Sequence, residues 1–327
     1  MKKKAAVKIY HGFGHTHNLI VYGHVFKKLP AVRFSYRDNI FINIFHLFKL
    51  FLVKPLPYVT VKLMLENNTV EAKTAHDGFF KFEWEADHEI AAGWHTVTVN
   101  SYDKSGEMTA TAEGKVFIPH STQYGFISDI DDTIMISHSA TIGRRLRELF
   151  IKNPRTRRTF TDVGIWYSSL AAAHTGPQAP NPFFYVSSSE WNLYDYLHEF
   201  FRFNRLPEGA FLLNQVKRWF ELLKTGKTKH QGKLARIVRI VEAFPKQQFI
   251  LIGDNTQSDP AIYAAIAEKF TEQIFAVYIR NIVPQNEALS RDILSTIEKR
   301  GIHTCLFNSS AEAIAHSKKI GLIERNE

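Results

Sequence analysis

The stretch YGFISDIDDTIMIS, residues 124 to 137, sets Asp129, Asp131 and Asp132 directly behind an apolar run. If that run ends a buried strand, the carboxylates repel one another by about a few kcal/mol per close pair at an effective dielectric of about 20. Something positive must compensate. The spacing Asp129-x-Asp131-x-Thr133 fits phosphoryl chemistry, because the first carboxylate can attack phosphorus while the second serves the leaving oxygen as acid and base. A carboxylate nearing a phosphate dianion is itself repelled, so such a site also needs a divalent cation and a fixed ammonium. A calcium loop is excluded. An EF-hand starting at Asp129 requires Gly at its sixth position and Glu at its twelfth, here Ile134 and Ala140.

The missing parts occur elsewhere in the chain. FILIGDNTQSDP places Asp254 and Asp259 after a second apolar run, and hard oxygen ligands of this kind suit Mg²⁺. Both also have local uses, Asp254 in a turn and Asp259 as a helix cap before Pro260. In KTGKTKHQGKLARIVRIVEAFP, Lys233 opens a helical pattern that leads into the same strand and supplies the ammonium, with Lys227 and Lys229 as alternatives. FFYVS ends in Ser187, followed by Ser188 and Ser189; a hydroxyl and backbone amides there can hold a phosphate oxygen. Ser187 and Ser188 are the phosphate-binding candidates, with Thr133 and Lys233.

Residues that far apart meet only if the fold gathers strand ends. Beyond residue 120, YGFIS, FFYVS, FILIG and IFAVYI are each followed by a polar stretch of helical period. This alternation predicts a parallel sheet covered on both faces, whose ligands collect at the carboxyl ends of its strands. Residues 57 to 118 read differently. YVTVKLML, FFKFEWEA and WHTVTVNSY alternate with period two between the turns ENNT, AHDG and DKSG, which predicts a small antiparallel sandwich. The boundary is drawn at 120/121, giving a β-domain over 1–120 and a catalytic domain over 121–327.

NIFINIFHLFKLFLVK, residues 39 to 54, predicts an apolar helix near 40–53, with Asn43, His46 and Lys49 recurring every three residues. It is too short to span a bilayer, so a packed helix and an interfacial one are the two readings.

The 327 residues, 45% hydrophobic and 22% charged, are those of a globular chain without low-complexity tracts. Lys and Arg outnumber Asp and Glu by 41 to 32, so the surface attracts polyanions. Residues 143 to 158 carry seven basic side chains against one acidic, either solvated or docking on an anionic membrane or headgroup. Nucleic acid would use the same charge, with Trp166, Tyr167, Trp191 and Tyr194 as stacking platforms, but their helical spacing favours core packing. His15-x-His17 lacks the further ligands of a metal site. The single Cys305 excludes a disulfide framework and thiolate zinc clusters, and MKKK is followed by no apolar h-region, so a cytoplasmic location is expected.

As a set, DxDxT, a strand-terminal Ser, a Lys, and GD with a further Asp five residues on resemble the haloacid dehalogenase phosphatase superfamily. The resemblance implies a Rossmann-like parallel-sheet domain, an aspartyl-phosphate on Asp129, proton transfer by Asp131, and Mg²⁺ held by Asp129, Asp131, Asp254 and Asp259. GFISDIDDTIMIS, NPRTRRTFTDVGIWYSSL, FFYVSSSEWNLYDYLHEFF and FPKQQFILIGDNTQSDPAIY narrow it to the actin-patch-associated phosphatidate phosphatase family, over most of residues 120 to 325. IYHGFGHTHNLIVYGHVF and DGFFKFEWEA resemble, more loosely, that family's preceding β-domain. Membership implies Mg²⁺-dependent conversion of phosphatidate to diacylglycerol. Glu190, Asn214 and Gly232 depart from the family pattern, which has proline, arginine and histidine there. The rival readings are a phosphatase of a soluble or nucleic-acid-terminal phosphate and a membrane or partner-binding adaptor without turnover. The sequence leaves the oligomeric state open.

Overall fold

The computed structural model describes residues 5–30, 40–119, 122–135, 159–176, 179–215, 229–256 and 258–324; the side chains of 40, 41, 43, 44, 47 and 229–231 are outside that description. The chain divides into two compact units, one built on the strands between Ala6 and Ile118 and one on the elements from Tyr124 onward.

In the first unit, β1 (Ala6–Ile9), β2 (Gly12–His15), β3 (Asn18–Phe26), β4 (Thr60–Leu65), β5 (Asn68–Lys73), β6 (Phe79–Trp84), β7 (Gly93–Tyr102) and β8 (Met108–Ile118) form one mixed sheet. Its hydrogen-bonded path runs β1-β3-β2-β8-β7-β4-β5, with β6 on the free edge of β3, and only β2 and β8 pair in parallel. A flat sheet of this width would expose one apolar face. Instead Val21, Leu63, Phe80, Val97 and Val116, drawn from strands all along the path, share a single buried core. The expected sandwich is thus one continuous sheet curved around its own interior. The turns follow their side chains: the Asp103 carboxylate accepts from the amides of Ser105 (2.9 Å) and Glu107 (3.1 Å) and holds the DKSG hairpin. His17 hydrogen-bonds Glu85 at 2.6 Å, so its ring is engaged locally.

Between β3 and β4, helix α1 (Ile40–Phe51) occupies the predicted segment. Leu50 and Phe51 in its last turn are buried. Among the described residues no helix is long and apolar enough to cross a bilayer.

The second unit is an α/β layer structure. Strands β9 (Tyr124–Ser128), β10 (Phe183–Glu190), β11 (Ala210–Asn214), β12 (Gln248–Asp254), β13 (Ile274–Arg280) and β14 (His303–Phe307) are all parallel, in the order β11-β10-β9-β12-β13-β14. Counted within this sheet the order is 3-2-1-4-5-6, so the chain leaves β9 toward one side and later returns to its other side at β12. Such a switch point opens a crevice at the carboxyl ends of the two central strands. β9 is buried along its whole length, as a strand covered on both faces must be.

Among the described residues the unit also holds helices α2 (Val163–Ala171), α3 (Tyr194–Phe203), α4 (Lys229–Ala243), α5 (Asp259–Lys269), α6 (Glu287–Glu298) and α7 (Ser310–Lys319). α2 and α7 meet on one face, where the Trp166 indole N–H donates to Ser317 Oγ at 3.1 Å. Trp166 also packs edge-on against Tyr167, Tyr278 and Phe307 with centroids 5.2 to 5.5 Å apart. α5 covers the opposite face, since Gly253, next in β12 to the Ile252 that pairs with Tyr278, faces Tyr263 of α5. Trp166, Tyr167, Trp191 and Tyr194 are all buried, which removes them as stacking platforms for bases.

Trp166→Ala is expected to destabilise the parallel-sheet unit by about 3–5 kcal/mol, the cost of an emptied indole site with its aromatic neighbours unpaired. Urea denaturation followed by circular dichroism measures it; a change under about 1 kcal/mol would contradict this packing role.

Candidate active site

The crevice is filled by side chains from the ends of β9, β10 and β12 and from the start of α4. Asp129 follows β9, and its amide continues the sheet ladder by donating to the Ile252 carbonyl at 2.8 Å. The chain then closes a tight loop: Asp132 adopts a left-handed backbone (φ 60°), its N–H donates to Met135 O at 2.8 Å, and the Ile134 and Met135 amides both return to Ile130 O at 3.1 Å. Asp tolerates this region better than most residues. The loop thereby presents Asp129 and Asp131 and turns Thr133 back toward β12.

Lys233, in the first turns of α4, is the hub. Its Nζ donates to Asp129 Oδ1 at 2.7 Å and to Asp259 Oδ1 at 2.5 Å. Carboxylate oxygens of Asp129, Asp254 and Asp259 lie within 4.8 Å of one another, all three residues buried. At an effective dielectric of about 20 each ionised pair costs about 3 kcal/mol or more, and with all three carboxylates ionised the single ammonium leaves a net charge of two negatives at the cluster. Asp254 is further held by Thr133 Oγ1 (3.2 Å), by the Thr256 amide (2.6 Å) and by the Thr256 hydroxyl. The Asp259 carboxylate accepts from the Asp254 amide at 3.4 Å. A side chain at position 253 would put its Cβ 2.4 Å from Asp259 Oδ2, which is why glycine precedes Asp254.

The ionisation equilibria report the same excess of negative charge. Burial first, and then Asp259, Asp254 and Asp131, push the Asp129 pKa well above the usual carboxylate value against the pull of Lys233. Asp254 is pushed up to about 7 by burial and by Asp259, over the opposing influence of Thr256 and Lys233. Burial acts against the Lys233 ammonium, but Asp129 and Asp259 more than reverse it, so its pKa lies above that of an ordinary lysine. Three hard, anionic oxygen donors converging with incomplete compensation are the donor set that a small divalent cation such as Mg²⁺ fits.

Asp131 stands apart from that trio. Its Oδ2 accepts from the hydroxyls of Ser187 and Ser189, each at 3.3 Å. Of the four expected metal ligands, the carboxylates of Asp129, Asp254 and Asp259 form the close cluster, and two seryl hydroxyls hold that of Asp131 through Oδ2. Ser187 lies where the strand-end argument puts it, and its Oγ also accepts from the Ser189 amide at 3.0 Å. Ser188 is half-buried where Ser187 and Ser189 are buried. Ser189, weighed beside Ser187 but not chosen, shares its contact with Asp131.

Arg280, at the end of β13, was also missed. It is 1% exposed, its guanidinium lies 4.3 Å from the Phe160 centroid and 4.7 Å from that of Phe307, and its Nε donates to the Thr133 carbonyl at 3.1 Å. Burial lowers its pKa to about 10, so it stays a cation at neutral pH. The signal was present: Arg280 ends the apolar run IFAVYI as the aspartates end theirs. The departures from the family pattern adjoin the site, with Glu190 and Asn214 in register across β10 and β11 and Gly232 against the Arg236 guanidinium. Arg236 donates to the Ser187 carbonyl at 3.3 Å. The basic run 143–158, Lys227 and the Lys229 side chain lie outside the described residues.

All these site residues fall within residues 124–281, which match the family described as Phosphatidate phosphatase APP1, catalytic domain. The chain is similar to phosphatidate phosphatase APP1 of Saccharomyces cerevisiae, 34% identical over 159 residues, or 48% of this chain and 25% of that protein. It is 25% identical over 159 residues to an uncharacterised protein of Schizosaccharomyces pombe, with the same shares covered. The matched region thus spans a quarter of the length of each of these relatives. Among solved structures, a carbohydrate acetylesterase from Xanthomonas citri aligns over 94% of this chain and 72% of its own, at 9% identity and a TM-score of 0.33, too low to inform the fold.

An acid whose pKa is raised on folding contributes its stability below the unfolded value and loses it as pH rises through the folded one. For Asp254 that window runs from 3.8 to about 7. Metal-free protein is therefore expected to melt at a lower temperature at about pH 8 than at about pH 5, and Mg²⁺ to raise the midpoint more at the higher pH. Asp254→Asn narrows the difference. Scanning calorimetry with and without chelator checks this, and a midpoint indifferent to both variables would contradict it.

Proposed function

We propose, from the match of residues 124–281 to the phosphatidate phosphatase APP1 catalytic-domain family, that the chain is a Mg²⁺-dependent phosphomonoesterase whose substrate is phosphatidate and whose product is diacylglycerol. The parallel order 3-2-1-4-5-6 with its acidic switch point supports a Rossmann-like, haloacid-dehalogenase-type domain. One observation carries the reading: Lys233 joins Asp129 to Asp259 beside Asp254 in one buried pocket at the carboxyl ends of the sheet.

Lys233 holds Asp129 Oδ1, which leaves Oδ2 to attack the phosphorus. As the new P–O bond forms on Asp129, the ester P–O bond breaks, and Asp131 gives its proton to the departing alkoxide of diacylglycerol. The bonds from Ser187 and Ser189 aim Asp131 for that transfer. Asp131, now a carboxylate, takes a proton from the water that attacks the aspartyl-phosphate, and phosphate leaves with Asp129 restored. The third proton of the Lys233 ammonium steadies the phosphoryl oxygens, joined by the Ser187 hydroxyl when it turns from Asp131 and leaves Ser189 to aim it, while Thr133 braces the loop through Asp254. Asp129, Asp254 and Asp259 would hold Mg²⁺, which offsets the charge of carboxylate and phosphate dianion where they meet.

Purified protein with Mg²⁺ is expected to hydrolyse phosphatidate in mixed micelles and a small chromogenic phosphomonoester. Asp129→Asn should abolish both activities, and Asp131→Asn should slow them by about 10²–10⁴-fold, the usual contribution of a positioned acid and base. Wild-type turnover by Asp129→Asn would sink the mechanism. Hydrolysis of the chromogenic ester alone would keep the chemistry and remove the lipid.

A further inference from the structure

Helix α1 is apolar on both sides. Leu50 and Phe51 in its last turn are 3% and 1% exposed and face the core, and at about 100° per residue the opposite side carries Phe45 and Phe48, with Leu52 just past the helix end, its amide on the Lys49 carbonyl. Those three are 56%, 36% and 51% exposed. A helix that only packed would turn polar residues outward there, and clustered exposed apolar side chains mark a contact surface.

The surroundings say what kind of surface fits. Lys49 lies on the same face with its ammonium 4.3 Å from the Phe45 centroid. The Lys27 amide donates to the Lys54 carbonyl at 2.8 Å, and Phe26 bridges to Pro55, so exposed Lys27 and Lys28 run beside exposed Lys54 and Leu52. The helix itself contains no acidic residue, and residues 26–54 hold six Lys and Arg against Asp38 alone. Large apolar side chains rimmed by ammonium groups complement a negatively charged surface with an apolar layer beneath. The 12 residues of α1 extend about 18 Å, well short of a hydrocarbon core of about 30 Å, so the helix lies on such a layer rather than through it.

We propose that this face docks on an anionic bilayer, with Phe45, Phe48 and Leu52 inserted at the headgroup boundary and the four lysines on lipid phosphates. The inference goes beyond the phosphatase reading and does not rest on it, because surface charge and an apolar boundary are recognised without any phosphomonoester.

The test is co-sedimentation of the full chain with vesicles of phosphatidylcholine and phosphatidylglycerol, a phosphodiester lipid, against phosphatidylcholine alone. Wild type is expected to bind the anionic vesicles selectively, and Asp129→Asn to bind them equally well. The double substitution Phe45→Asp with Leu52→Asp should weaken binding by about tenfold or more, as should Lys27→Glu with Lys54→Glu. All four positions are exposed, so circular dichroism and hydrolysis of a soluble phosphomonoester should stay at wild-type values. Failure of wild type to sediment with anionic vesicles, or equal binding by the Asp variant, overturns the proposal. So does a variant that instead lowers the mass of the wild-type particle without vesicles, which would make the face a contact between copies.

Discussion

The second unit depends on a single ammonium group placed among aspartates. Lys233 is 8% exposed and bonds Asp129 and Asp259 at once, which ties the end of β9 to the start of α5 through the start of α4. Removing a lone buried charge from water costs several kcal/mol, and contact with two carboxylates recovers that cost only if both stay in place. The arrangement is therefore over-determined from several directions. Gly253 makes room for Asp259, Thr133 and Thr256 hold Asp254, and Ser187 with Ser189 hold Asp131. What remains is an excess of negative charge at one point, which favours the uptake of a proton or a cation there.

The sheet order explains why residues over a hundred positions apart meet there. β9 is the first strand laid down and ends in the middle of the sheet, so each later crossover adds a strand on one side or the other. Its neighbours β10 and β12 bring the seryl and the acidic loops to the same crevice from opposite sides.

Much of this was legible in the sequence. An apolar run of five or so residues ending in Asp or Ser marks a strand end, and strand ends of a parallel sheet share one edge; Asp129, Asp131, Ser187, Asp254 and Asp259 follow from those two facts, and Lys233 from the helical pattern that leads into the second acidic strand. The finer contacts needed the folded loop to be seen. Ser189, two residues beyond Ser187, puts its hydroxyl on the same Asp131 oxygen. Asp131 shares a motif with Asp129, yet seryl hydroxyls hold the one and Lys233 the other. Arg280 ends an apolar run as the aspartates do, but its partners were not legible: the buried guanidinium meets two rings, a carbonyl and the Ser310 hydroxyl, while Asp254 and Glu312 act on it without an ion pair. In the first unit, alternation identified the strands but not their closure, because pairing β2 with β8 in parallel depends on contacts remote in sequence.

The left-handed kink at Asp132 has one more implication. A tight reversal that returns the Met135 amide to the Ile130 carbonyl leaves the segment between them no slack, so Asp131 and Thr133 cannot be repositioned separately. Variation in what the site accepts would then come from positions around it such as Glu190 and Asn214, while the loop itself moves as one piece or not at all.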